Sequence, residues 1–210
     1  MRVKLQRAAL MSGAFLFLTI NGVTAQTKES TASQTPETPA AAQARPTQSV
    51  SAAAAVPAAN LADVASMDAI IAAVYQVISG DAGVKRDWNR FRSLFYAGAR
   101  MIPTGKNRAG KIGGRVITPE DYVQQSGPYL EKEGFHEREI ARRVEVYGDI
   151  AHVFSTYEAK HKLADAKPFL RGINSIQLLN DGTRWHVLTI AWSAETPENQ
   201  LPDKYLKTVQ

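Results

Sequence analysis

Cysteine is absent from all 210 residues. No disulfide can staple the fold, no thiolate can act as nucleophile, and sulfur-built metal sites are excluded. Stability must come from an ordinary hydrophobic core. Histidine is scarce, with only His136, His152, His161 and His186, and none of these falls at a metal-ligand spacing such as H-x-x-x-H. No metal and no cofactor is therefore expected. The chain also lacks a one-signed charge excess. Residues 61–210 hold 20 basic and 18 acidic side chains, so no strong cationic footprint for nucleic acid exists and no nucleic-acid partner is expected. One local exception is the stretch 85–115, with nine basic residues against the single acid Asp87.

Long apolar runs are missing as well. Residues 8–20 are apolar apart from Ser12, Gly13 and Thr19, which is short of the roughly 20 residues that span a bilayer. Arg2, Lys4 and Arg7 precede that run, and Val23-Thr24-Ala25 follows it. This is the pattern of a removable secretory signal over residues 1–25, with export to a periplasm or the exterior and no stable membrane span after cleavage. Residues 26–60 contain no aromatic and almost no large aliphatic side chain. Such a stretch buries too little apolar surface to offset its chain entropy and is expected to be a disordered Ala/Thr/Pro/Ser/Gln-rich linker. The folded domain is then residues 61–210.

Within it the first half reads as helical. Ile70, Ala73, Val74, Val77 and Ile78 share one face of a helix over 66–79, with Ser66 as cap and Gly80 as stop. A second helix starts at Asp87 and buries Trp88, Phe91, Leu94 and Phe95. A third starts at Thr118-Pro119-Glu120-Asp121, is expected to kink or break at Gly127-Pro128, and ends at Gly134. A short strand is expected over 100–103, then a Gly-rich basic loop over 104–115. Gly105 to Lys111 fits the first seven positions of a P-loop, but Ile112 stands where Ser or Thr should hold Mg²⁺, so nucleotide binding is rejected.

From Phe135 the period becomes that of strands. Segments 135–147 and 150–162 flank Gly148-Asp149, and segments 169–179 and 183–192 flank Asn180-Asp181-Gly182. These are two hairpins, so a sequential antiparallel sheet follows the helices and the class is α+β. Residues 194–210, with Pro197 and Pro202, are expected to pack as an irregular arm.

The element order, together with Gly134-Phe135-His136-Glu137-Arg138-Glu139-Ile140, Gly148-Asp149-Ile150-Ala151-His152-Val153, Arg171-Gly172-Ile173-Asn174-Ser175-Ile176-Gln177-Leu178 and Asp181-Gly182-Thr183-Arg184-Trp185-His186-Val187, resembles the nuclear-transport-factor-2-like, or SnoaL-like, superfamily over residues 61–206. The resemblance implies a cone: a curved antiparallel sheet wrapped on three N-terminal helices, enclosing a pocket. It also implies a homodimer through the sheet. The superfamily hosts isomerases, dehydratases, cyclases and non-enzymatic binders, so fold alone does not assign function. None of its catalytic sets matches here residue by residue.

Candidate ligand residues come from mapping the hairpin faces with two-residue loops. On the first hairpin Ile140, Val144, Val146, Val153 and Tyr157 share a face with Arg138, Arg142 and Ser155, while Glu139, Arg143, Glu145, His152 and Glu158 take the other. The first face is the more apolar and is expected to point inward, with Arg142 beside Tyr157 as an anion site. The plain alternative is an Arg142 whose guanidinium snorkels to the rim or pairs with a core acid. On the second hairpin Asn174, Ile176, Leu178, Trp185, Val187 and Thr189 share a face. Arg171, Gln177, His186 and Trp192 take the opposite one as a polar ligand patch or an interface, and which face is inner stays open. Glu137 and Glu139 flank Arg138 and read as a solvated charged face, with a catalytic carboxylate as the alternative. The functions carried forward are a binder of a small, partly apolar molecule, an isomerase, dehydratase or cyclase using a buried base, and a non-catalytic interaction module.

Overall fold

The computed structural model describes residues 56–208. The signal expected over 1–25 and all but the end of the linker expected over 26–60 lie outside the described residues.

The helix starts form through the caps that the sequence supplies. Ser66 accepts from the Ala69 amide at 3.1 Å and opens α2 (Met67–Ile78), with a one-turn α1 (Leu61–Val64) before it. Asp87 accepts from the Arg90 amide at 2.8 Å and opens α3 (Trp88–Ser93). Thr118 and Asp121 form a reciprocal capping box at the start of α4 (Pro119–Glu133), with amide-to-side-chain distances of 3.0 and 2.8 Å. Of the kink or break expected at Gly127-Pro128, the break does not occur, and α4 runs through the pair to Glu133. Gly127 lies against the Trp88 indole, where a Cβ would come within 3.1 Å of the ring. The indole Nε1 donates to Glu131 at 2.9 Å, one turn beyond the proline. Packing across the proline thus offsets the lost backbone bond. Gly134, at φ 74°, ends the helix as expected.

Among the described residues, six strands follow the order β2-β1-β6-β5-β4-β3. They are β1 (Phe95–Lys106), β2 (Ile112–Gly114), β3 (His136–Tyr147), β4 (Ile150–Lys160), β5 (Leu170–Asn180) and β6 (Trp185–Ala194). The last four are the sequential antiparallel hairpins read from the sequence. The sheet is nonetheless mixed, because β1 joins β6 in parallel. α3 delivers the chain to the start of β6, where Val187 donates its amide to the Leu94 carbonyl at 2.9 Å. β1 is also much longer than the four-residue strand expected, and much of the supposed basic loop is a β1–β2 ribbon. The class is α+β, with the curved sheet packed on the helical first half.

The core lies between α2–α4 and one sheet face, with Ile70, Ile71, Phe91 and Leu94 packing on Val153, Ile176, Leu178 and Val187, all at most 1% exposed. The opposite face is partly covered by the C-terminal arm. Thr156 donates its hydroxyl to the Tyr205 carbonyl at 2.6 Å, and Arg143 bonds the Lys204 carbonyl at 2.8 and 3.0 Å.

Arg86 holds the α2–α3 connection. Its buried guanidinium donates to the carbonyls of Ile78 at 3.0 Å, Val84 at 2.5 Å, Gly80 at 2.6 Å and Leu130 at 3.0 Å. Gly80 leaves room for it, since a Cβ there would lie 2.6 Å from the guanidinium. Arg86→Met should strand these carbonyls and lower unfolding free energy in urea by about 3 kcal/mol or more. Gly80→Ala should lose about 1–3 kcal/mol by crowding.

Candidate functional site

Side chains alternate across a strand, so a single inserted residue exchanges the two faces. β3 contains such a bulge between Glu139 and Ala141. Arg142, Val144 and Val146 stand opposite Ser155, Val153 and Ala151 on the inner face, as expected. Before the bulge the assignment reverses. Glu137 and Glu139 stand opposite Ala159 and Tyr157 and turn inward, while Arg138 pairs with Glu158 at 2.8 Å on the outer face. Arg138 and Ile140 therefore leave the inner set, and Glu139 joins it. A second bulge, between Gln177 and Leu178, does the same to β6. Trp192 and Ile190 face inward opposite Asn174 and Ile176, and Thr189 turns outward opposite Gln177.

The inner face thereby gathers an acid among aromatic and amide groups. Glu137 accepts from the Asn174 side-chain nitrogen at 3.3 Å. The same nitrogen donates to the Tyr75 hydroxyl at 3.1 Å, and Tyr75 lies 2.6 Å from the Ser155 hydroxyl. Ser155 donates to Glu139, which is ion-paired with Arg142 at 2.5 Å. No cation pairs with Glu137 among the described residues. Desolvation pushes its carboxyl up to about 8, against the opposing effect of the Asn174 hydrogen bond. Tyr122 of α4 and Tyr157 of β4 are raised above the usual phenol range by burial first and then by the Glu137 charge. Among the described residues, Glu137 Oε1 has its bond from Asn174, while the second carboxyl oxygen and the two phenol hydroxyls have no hydrogen-bonding partner. Tyr122 also meets Phe91 in a stack at 5.5 Å and Trp192 edge-on at 6.1 Å. The result is an aromatic wall carrying a few convergent polar groups.

The residues singled out from the sequence divide between the two faces. Arg142, Tyr157, Asn174 and Trp192 are inner. Arg142 is held by the half-buried Glu139 and by the exposed Asp68, each at 2.5 Å, so its charge is already met by two carboxylates. Arg171, Gln177 and His186 lie on the outer face and do not join that group. Arg171 pairs with Glu195 at 3.1 Å, and Gln177 is exposed. His186 bonds Asp181 at 2.7 Å beside the Tyr96 ring, and the Thr183 hydroxyl, followed by His186, holds the Asp181 carboxyl well below its usual range. Glu137, Glu139, Tyr75 and Tyr122 complete the inner cluster and were not among the candidate ligand residues. The two acids at alternate positions were the available signal, hidden by a bulge that no period-two count reveals.

A cleft of about 350 Å³ opens elsewhere, between the outer face and the C-terminal arm, lined by Phe154, Ile173, Ala191, Leu201, Pro202 and Tyr205 among others. Its one carboxylate, Glu195, is the partner of Arg171, so it offers no free acid or base. The inner cluster is the stronger candidate on chemical grounds.

Neither the scan against protein-family models nor the search of curated proteins returned a match. Among solved structures, the chain is similar to an NTF-2-like protein of unknown function from Silicibacter pomeroyi, at 14% identity, covering 62% of this chain and 94% of that one, with a TM-score of 0.43. It is similar to an NTF2-like protein of unknown function from Shewanella baltica, at 16% identity, 60% and 89% coverage and a TM-score of 0.39. It is also similar to a protein of unknown function with a cystatin-like fold from Nostoc punctiforme, at 10% identity, 60% and 86% coverage and a TM-score of 0.44. The site rests on this chain's own geometry.

Gly172 gives the Tyr157 phenol its place. A Cβ at 172 would fall 2.6 Å from the Tyr157 hydroxyl and 2.4 Å from the Ser193 carbonyl. Gly172→Ala should cost about 1–3 kcal/mol in urea unfolding. It should also shift the Tyr157 ring resonances in NMR spectra, and unmoved resonances would disprove the packing argument.

Proposed function

We propose that the domain is an acid–base enzyme of the isomerase or dehydratase type, in which Glu137 moves a proton on a small, partly apolar carbonyl compound. The observation that supports this reading is Glu137 itself: a cation-free carboxyl surrounded by protein, with its titration raised to about 8 and one oxygen unengaged. A structural carboxylate would be paired, as Glu139, Glu158 and Glu195 are. A base titrating near the working pH is closer to the acidity of a carbon acid than an ordinary carboxylate is, which favours proton transfer in both directions.

In the proposed step, ionised Glu137 takes a proton from the carbon next to the carbonyl. The electron pair of that C–H bond moves into the C–C bond, and negative charge builds on the carbonyl oxygen. The hydroxyl of Tyr122 or Tyr157 donates a hydrogen bond to that oxygen. Return of the proton from Glu137 to a different carbon completes an isomerisation, with no net gain or loss of atoms. Loss of a hydroxide from the neighbouring carbon, leaving as water with the proton taken up by Glu137, would be the dehydration.

The test needs no knowledge of the natural substrate. A panel of cyclic ketones in deuterated water should show protein-catalysed deuterium uptake beside the carbonyl, followed by NMR. Glu137→Gln should slow that uptake at least 100-fold, and Tyr122→Phe or Tyr157→Phe at least about tenfold. Equal uptake with Glu137→Gln would remove the reading and leave a non-catalytic binder. Stability supplies a second check. The folded-state value of Glu137 lies above its ordinary 4.5, so its contribution is fully present below about 4.5 and is lost as pH rises through about 8. Between those values stability should fall with a slope approaching about 1.4 kcal/mol per pH unit, and Glu137→Gln should remove that component of the slope.

A further inference from the structure

We infer that Glu139 is a positioning residue that fixes how Glu137 holds its proton, acting through an oriented chain of hydrogen bonds across Ser155, Tyr75 and Asn174. The inference rests on the reading of Glu137 as the proton-transferring group. Glu139 is ion-paired with Arg142, so its oxygens only accept. Ser155 has a single hydroxyl proton, and it donates that proton to Glu139. The Tyr75 hydroxyl, 2.6 Å from the serine oxygen, must then be the donor in that pair. Its oxygen is left as an acceptor toward Asn174, 3.1 Å away. The amide nitrogen of Asn174, and not its oxygen, must therefore face Tyr75. That nitrogen is also the atom 3.3 Å from Glu137.

One amide orientation thus follows from a charge three groups away. An NH₂ group facing Glu137 Oε1 supports the ionised acid and keeps any proton off that oxygen. The proton, when present, is confined to Oε2, the oxygen without a protein partner. The groups around it are Tyr122 of α4, Tyr157 of β4, Tyr75 of α2 and Asn174 of β5, with Glu139 on its own strand. Turned over, the amide would present its oxygen to both Tyr75 and Glu137 and would require the proton on Oε1.

The test reads the Glu137 carboxyl by carbon-13 NMR titration in the full chain labelled at glutamate, with Glu137→Gln used to assign the signal. Glu139→Gln lets an amide donate to Ser155. That reverses Ser155 and Tyr75 in turn and draws the Asn174 oxygen toward Glu137. The Glu137 titration should rise by about one pH unit. Loss of a negative charge without reversal would move it down instead, so the two causes differ in sign. Ser155→Ala changes no charge, frees the Tyr75 proton to point at Asn174, and should also raise the titration. It serves where Glu139→Gln fails to fold. A downward shift with Glu139→Gln, or an unmoved titration with Ser155→Ala, overturns the inference. Neither outcome depends on turnover. An absence of deuterium uptake would remove the catalytic reading and leave the hydrogen-bond chain testable, whereas unmoved titrations with uptake intact would remove the chain alone.

Discussion

Strand geometry allows only every second side chain to face the helices, and one extra residue in β3 decides which ones do. Without the bulge between Glu139 and Ala141, the residues beside Arg142 on the inner face would be Arg138 and Ile140. Glu137 and Glu139 would then be in water. With it, two acids enter the apolar side of the sheet, and the other inner polar groups become intelligible as responses to them. Arg142 answers Glu139, and Asn174 answers Glu137. Tyr75 and Ser155 join the two responses into one chain. The bulge is a backbone feature, so its effect does not depend on any one of those side chains being present.

The two acids receive unequal treatment. Burying a carboxylate without a cation is unfavourable, and the protein removes that penalty at Glu139 with an arginine. At Glu137 it leaves the penalty largely in place. A shift from 4.5 to about 8 corresponds to roughly 5 kcal/mol of preference for the protonated form. A fold of this size tolerates such an unfavourable group only if the rest is well satisfied. Arg86, with its ring of backbone carbonyls, and the capped starts of α2, α3 and α4 are examples of that satisfaction. The contrast is between a charge used to hold structure and a charge withheld from it.

Much of the scaffold was legible because its determinants are local. Ser66, Asp87 and Thr118 cap helices through contacts three residues away, and Gly148 and Gly182 take positive φ between strands. The parts that were not legible are non-local. The parallel docking of β1 on β6 depends on where α3 releases the chain, and α4 continues past Pro128 because Trp88 arrives from another helix. The site falls in this second class. Tyr157 and Asn174 could be placed by alternation along their own strands, since neither β4 nor β5 carries an inserted residue. Glu137 and Trp192 could not, because each lies beyond an inserted residue in its own strand. Tyr75 reads as one more core residue until the amide across from it is known.

Orientation is the last property the fold imposes, and it differs in kind from proximity. Desolvation alone would raise Glu137 without saying where its proton sits. A hydrogen-bond donor from Asn174 alone would lower it, but an isolated asparagine could present either end. The amide is constrained because Tyr75 can offer it only an oxygen. Tyr75 is constrained because Ser155 has already given its proton away. A charge at Glu139, buried enough to matter and paired enough to remain a charge, thereby selects one of two arrangements that have the same heavy-atom geometry. Two carboxyls two residues apart on one strand thus become a reacting group and its reference, joined through three other elements of the fold and not through the strand that carries them.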